Sequence, residues 1–171
     1  RAGRRPRTAL AARKTPSQRE SLAMLDPRPA AAFAVFTEIG IINQLATRAF
    51  EQLLPPGLSL PQFAVLDHLM RLDGDWTPAR LASAFQVPRP TMTNTLQRLH
   101  AAGLVDYAPD PRDRRGKLVV ITKKGRVVRD RSRAAVEPLL KQIGKALPAS
   151  LFGTLLGELV KLRAWLAAAR D

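Results

Sequence analysis

Cysteine is absent from this chain of 171 residues. That excludes disulfides, thiol redox sensing, cysteine nucleophiles and cysteine-built zinc sites. Histidine is scarce: His68 and His100 are the only two, and they fall on different predicted helices. A zinc centre needs three or four ligands, so neither a metal nor a cofactor is expected. Aromatic residues make up only 5%. The apolar content is left to Leu, Ala, Val and Ile, which suits helices packed on helices. No unbroken apolar run approaches the roughly 18 residues of a membrane span. The short Ala/Leu stretch near the N-terminus is broken by Arg13 and Lys14 and does not read as a signal peptide. There is no Gly-rich phosphate loop and no Ser/His/Asp set, and adjacency alone does not make Asp67-His68 a dyad. These gaps argue against an enzyme and for a cytoplasmic, nucleoid-associated protein with no membrane partner.

Acid is the other shortage. Against 14 Asp and Glu stand 28 Lys and Arg, a formal charge of +14. A surplus of that size points to an anionic partner, either nucleic acid or an anionic membrane surface. The charge concentrates in a tail and a loop rather than along one basic amphipathic helix, which weakens the membrane reading. The tail is residues 1–29, with eight basic and two acidic side chains and few large apolar ones. It reads as weakly ordered apart from a short helix near Pro16–Leu25, and as a basic arm able to add phosphate contacts.

What is present begins with a long helix over Ala30–Leu54. Phe33, Phe36, Ile39, Ile42, Ala46 and Phe50 recur at spacings of three and four, and Pro55-Pro56-Gly57 stops it. Ser59 with Gln62 has capping-box spacing and opens a second helix carrying Phe63, Leu66, Leu69 and Met70. Asp73-Gly74-Asp75 ends that helix. Thr77-Pro78 caps a short third one, and a tight break at Gln86-Val87-Pro88 leads into a fourth, Arg89 to Ala102, closed by Gly103. Two short strands follow, Leu104–Tyr107 and Leu118–Ile121, joined by a polar, turn-rich segment over residues 109–116. Thr122 caps a fifth helix to about Leu147, and Pro148 opens a sixth.

The fourth helix is two-faced. Met92, Leu96 and Leu99 share one side, whereas Pro90, Asn94, Gln97 and Arg98 occupy the other, flanked by Thr91 and Thr93. Asn and Gln can pair with an adenine edge, Arg with guanine, and Thr or Pro can touch a thymine methyl. The N-terminal half of such a helix does most base reading, so Arg89 to Asn94 weigh most. Taken alone this face reads more readily as solvated surface. The next loop tips the balance, because packing does not require Arg112, Arg114, Arg115 and Lys117 to crowd together at one protruding tip. Arginine there suits the narrow, electronegative minor groove. Asp113 would repel phosphate and fits better as a brace for a neighbouring arginine. The helix starts at Ser59 and Thr77 are expected to offer backbone N–H groups to phosphates.

The stretch Asp110-x-Arg112-Asp113-x-Arg115-x3-Val119-x-Ile121-Thr122 resembles the wing signature of the MarR family. Leu96-x2-Leu99-x3-Gly103-Leu104-Val105 is similar to the end of that family's recognition helix. The resemblance extends over residues 33–168, and it departs from the usual pattern at Pro88-Arg89-Pro90-Thr91, where a Ser or Thr cap is more typical. It implies a mainly α fold with a small β-hairpin wing. A winged helix-turn-helix lobe at residues 57–122 would sit between N- and C-terminal helices (30–56 and 123–171) forming an intertwined dimerisation domain. It also implies a repressor of pseudo-palindromic operators in double-stranded DNA, relieved by a small ligand. Arg112, Asp113 and Arg115 would be wing-tip positions. A ligand pocket would lie between lobe and dimer helices, walled by Ile42, Leu45, Ala46, Phe63, Leu66, Met70 and Trp76. Asn43, Arg48, His68 and Trp76 could anchor an aromatic or phenolic acid there, although each wall residue reads more readily as plain core than as pocket.

A homodimer is expected independently, since Leu151, Leu155, Leu159, Leu162 and Leu166 make an apolar stripe that a lone lobe would expose. A purely intrachain bundle is the plainer alternative. The alternative to a sequence-specific regulator is an architectural DNA-binding protein tolerant of sequence, working through net charge.

Overall fold

A computed structural model of the chain describes residues 27–169. All but the last three residues of the expected basic tail, including the short helix near Pro16–Leu25, lie outside these. Helix α1 spans Pro27–Glu51. Pro27 and Pro29 are therefore helical rather than part of the tail. Leu53 and Leu54, expected in the helix, form a turn instead. The residue before a proline disfavours the α region, and Pro55 enforces that on Leu54.

The chain divides into two compact units, one up to Gln44 and one from Leu45 onward. The described part of the first is helical throughout, and it exposes Phe33, Phe36, Ile41 and Ile42, Phe33 at 75%. By length and average hydropathy α1 could cross a membrane. A search for unbroken apolar runs misses this because Thr37, Glu38 and Asn43 interrupt the sequence without lowering the average far.

The second unit holds the end of α1, then α2 (Leu60–Arg71), α3 (Pro78–Ala84), α4 (Arg89–Ala101), strands β1 (Val105–Asp110) and β2 (Asp113–Ile121), α5 (Lys123–Ala146) and α6 (Ala149–Ala168). The fold is mainly α with one antiparallel hairpin. Its core gathers Val65 and Leu66 from α2, Leu81 and Ala82 from α3, and Met92, Leu96 and Leu99 from α4, with Leu104, Val105, Val119 and Val136. The period-3.6 apolar residues of three short helices thus converge on one point, which none could bury alone.

Local chemistry sets the boundaries. Ser59 N–H donates to Gln62 Oε1 at 2.8 Å, Arg80 N–H to Thr77 Oγ1 at 3.2 Å and Gly125 N–H to Thr122 Oγ1 at 2.9 Å, each satisfying a donor at a helix start. The break between α3 and α4 places Gln86 at φ +54°. Arg129 ties α5 to α2: its Nε and Nη2 donate to Asp67 Oδ1 at 3.0 and 2.6 Å, and its Nη1 to Asp130 Oδ1 at 2.9 Å.

The hairpin corrects an expectation. Its strands run further than Leu104–Tyr107 and Leu118–Ile121, pairing Val105 with Ile121 through to Pro109 with Lys117, and then, past a register shift, Asp110 with Asp113. The tip is only Pro111-Arg112. Arg114, Arg115 and Lys117 are strand positions, not loop positions. Pro109 reads as a loop residue, but in a two-stranded sheet its missing N–H can face away from the partner. Asp110 Oδ1 closes the turn by accepting from Arg112 N–H at 2.9 Å.

Helix α6 buries none of its residues. Leu151, Leu155, Leu159 and Leu166 are exposed, and Leu162 is half-buried. The leucine stripe is present and uncovered within one chain.

Candidate nucleic-acid interface

Met92, Leu96 and Leu99 are buried at 3%, 0% and 0% exposure. That pins one side of α4 to the core and fixes what the other side shows. Arg89, Pro90, Thr91, Thr93, Asn94, Gln97 and Arg98 are all exposed. Three of these side chains are already committed. Thr93 Oγ1 donates to the Arg89 carbonyl at 2.9 Å. Arg98 Nε donates to Asn94 Oδ1 at 3.1 Å, which leaves the Asn94 amide N–H2 and the Arg98 Nη groups as the outward donors. The helix starts at a Pro88 N-cap with no side-chain acceptor. Pro90 lacks an N–H, so the free donors of this first turn are the N–H groups of Arg89 and Thr91.

The two other helix starts are less available than the sequence suggests. At α2, Ser59 N–H is taken by Gln62, Leu60 N–H donates to Glu51 Oε1 at 3.0 Å, and Pro61 has none. The expectation that the Ser59 turn presents free N–H groups to phosphate is corrected accordingly, because Glu51 supplies the anion internally. At α3, Pro78 has no N–H and Thr77 takes that of Arg80, which leaves Ala79.

The hairpin is anchored to the α2–α3 connection. Val119 N–H donates to the Trp76 carbonyl at 2.7 Å. At the tip, Arg112 pairs with Asp75, and the Arg80 guanidinium, 5.1 Å above the Trp76 ring, also donates to the Asp75 carbonyl. Asp75 is thus a functional neighbour that sequence reasoning missed. It reads there only as a helix terminator, and no local pattern pairs it with a residue 37 positions away. Lys117 is exposed, with Nζ 6.0 Å from the Tyr107 ring centroid. Arg114 and Arg115 follow Asp113 along β2.

The anticipated ligand anchors are divided between the two units. Asn43 belongs to the first unit and is exposed, and Arg48 is exposed on the last turns of α1. His68 and Trp76 do meet, but edge-on against each other at 4.3 Å, with Phe85 5.2 Å from His68. Leu66, expected in a pocket wall, is fully buried core. The His68 Nε2 is buried without a hydrogen-bond partner. Burial, with the Arg71 charge adding to it, holds the imidazole below its ordinary pKa, so the ring is neutral at physiological pH. Among the described residues, no group of three or more His, Asp or Glu is placed to hold a metal.

Comparison with known proteins agrees with this geometry. A family model described as "MarR family" matches residues 57–116. The chain is 35% identical over 98 residues to the transcriptional activatory protein BadR of Rhodopseudomonas palustris, covering 56% of this chain and 54% of that one. It is 31% identical over 119 residues to the multiple antibiotic resistance protein MarR of Escherichia coli, covering 68% of this chain and 82% of that one. A mutant of the E. coli protein, solved in complex with operator DNA, superposes with a TM-score of 0.68 at 30% identity, covering 77% of this chain and 95% of the other. The match spans about half the length of BadR but most of the length of MarR.

Proposed function

Since the chain belongs to the MarR family of winged helix-turn-helix transcription regulators, we propose that it acts as a homodimer that represses transcription from a pseudo-palindromic operator. The observation that carries this is the exposed polar face of α4 standing beside an arginine-bearing hairpin. Such a pair fits a major groove and the adjoining minor groove. Arg89 to Arg98 on α4 read base edges, and Arg112, Arg114, Arg115 and Lys117 supply wing contacts, with Asp113 as a brace. The operator complex of the E. coli relative supports DNA as the partner. The uncovered stripe on α6 and the exposed apolar residues of α1 support a second copy of the chain as their cover. Two-fold symmetry then sets two α4 helices about one DNA turn apart, hence the pseudo-palindrome. A small acidic ligand relieves the repression.

Selection of sites from a random duplex pool tests the reading. A pseudo-palindromic site should emerge and bind at least ~10³-fold more tightly than random DNA. Uniform affinity for all duplexes would instead favour a sequence-tolerant architectural role. A reporter driven by the selected site reads the sign of regulation: expression should rise when the gene is deleted, and a fall would make the protein an activator. Sedimentation equilibrium showing a stable monomer at micromolar concentration would remove the dimer.

A further inference from the structure

Arg98 lies one turn after Asn94 on the exposed face of α4, and the two side chains form one unit. Arg98 Nε donates to Asn94 Oδ1 at 3.1 Å. A guanidinium N–H can only donate, so the amide atom that faces it is the oxygen. Turning the Asn94 amide over would set its N–H2 against the Arg98 Nε–H, donor against donor. The contact therefore fixes which way the amide points. The pair lines a cleft between α4 and the start of α2 with Ser59, Gln62, Thr91 and Thr95, and among the described residues no acidic side chain lines it.

The orientation decides what Asn94 can read. A free asparagine pairs with adenine through both ends of its amide, Nδ2 donating to N7 and Oδ1 accepting from the N6 amino group. In this chain Oδ1 is already accepting. Its second lone pair remains, but an adenine amino group brought to it would meet the Arg98 guanidinium hydrogen to hydrogen. What the pair offers outward is donors only, the Asn94 Nδ2–H2 and the Arg98 Nη groups. Guanine is the base whose major-groove edge carries two acceptors, O6 and N7, and no donor. Thymine has a single acceptor, O4, beside its methyl group, and cytosine presents an amino donor.

We propose that Asn94 and Arg98 together select a guanine in each half-site, Asn94 Nδ2–H2 donating to the base and Arg98 acting as the positioning residue that withholds Oδ1 from adenine. Residue type alone assigns Asn94 to adenine; the contact with Arg98 reverses that assignment. The proposal rests on the reading of α4 as the major-groove helix, and it names the base read at this one position.

The test places all four bases in turn at each position of the selected duplex and measures binding by the full-length chain. The position read by Asn94 is the one at which Asn94→Ala loses discrimination. There the wild type should bind guanine about tenfold more tightly than adenine. Arg98→Met keeps the aliphatic stem and removes the donors, so Oδ1 is free to accept. The guanine-to-adenine ratio should then fall to about one or below, whatever uniform loss of affinity the missing charge brings. Adenine or thymine bound by the wild type as tightly as guanine would overturn the proposal. So would an unchanged ratio in Arg98→Met, or discrimination kept at every position by Asn94→Ala. A second arm needs no DNA. In the free chain labelled with ¹⁵N, solvent exchange of the Arg98 Nε–H should quicken in Asn94→Ala, and an unchanged rate would remove the hydrogen bond on which the selection depends. Failure to bind any selected duplex would refute the DNA reading itself, while the second arm still decides whether Arg98 holds Asn94.

Discussion

Gly125 stands in the first turn of α5, where that helix leans directly on the backbone of Leu104. A Cβ built there would lie well inside van der Waals contact of the Leu104 carbonyl oxygen, 2.8 Å from Ile121 Cγ1 and 3.0 Å from the Leu104 carbonyl carbon. The two Leu104 atoms are backbone, so no side-chain rotation relieves that part of the clash. The Leu104 oxygen also accepts from Thr122 N–H at 3.1 Å and Thr122 Oγ1 at 3.2 Å. Moving it strains both bonds. Overpacking of this kind costs ~1–3 kcal/mol, and each weakened hydrogen bond adds ~1 kcal/mol. Alanine's better helix propensity returns up to ~1 kcal/mol. The net expectation for Gly125→Ala is a loss of about 3 kcal/mol, or a melting point lower by roughly 6–12 °C for a chain of this size. Circular dichroism melting at fixed protein concentration measures it. Gly144→Ala, on the same helix with open space around its Cβ position, is the internal control and should gain up to ~1 kcal/mol. If Gly125→Ala melts within ~2 °C of the wild type, the close approach of α5 to Leu104 is wrong.

Other expectations follow from single contacts. Asp67→Ala leaves the largely buried Arg129 with only Asp130. It should destabilise the fold by about 2 kcal/mol in denaturant titration, below the ~3–5 kcal/mol of a fully buried pair because Asp67 is 30% exposed; no change would show that the tie is dispensable. His68 has a lowered pKa in the folded state, so the unfolded chain takes up the proton first. Stability should be fully present above about pH 6.5 and decline as pH falls through the folded value. In His68→Phe that decline should flatten, and an unaltered profile between pH 5 and 7 would assign it to other groups. Arg115→Ala should weaken duplex binding without dissociating the dimer, as gel shift beside sedimentation would report, and normal binding would refute the wing assignment. Asp75→Ala frees Arg112 from its partner and should change duplex affinity by at most ~1 kcal/mol, the scale of an exposed ion pair.

Much of this could be read from the sequence because the signals were local. Ser59 with Gln62, Thr77 with Arg80 and Thr122 with Gly125 mark helix starts through hydrogen bonds that span three residues. The 92/96/99 spacing separates the buried side of α4 from its exposed side before any coordinates exist. The hairpin was less legible. At the hairpin, Pro109, Asp110, Pro111 and Gly116 have the composition of a loop, yet cross-strand pairing reaches Pro109 with Lys117 and, past a register shift that leaves residues 114–116 without a cross-strand partner, Asp110 with Asp113. Ladder pairing depends on a partner strand that composition does not see. The edge-on meeting of His68 with Trp76 depends likewise on how α2 meets the segment that follows it. The contacts of Asp75 with Arg112 and of Glu51 with Leu60 N–H were invisible for the same reason: each depends on how two segments come together.

The two tryptophans sit where they divide the labour of observation between them. Trp76 holds the hairpin through its carbonyl, lies under Arg80 and meets His68, so its emission follows the attachment of the wing. Trp165 is 67% exposed on α6, and its emission shifts to the blue only when that helix is covered. The chain therefore carries two native optical reporters, one at the foot of the hairpin and one on α6, and Trp76→Phe or Trp165→Phe isolates either signal.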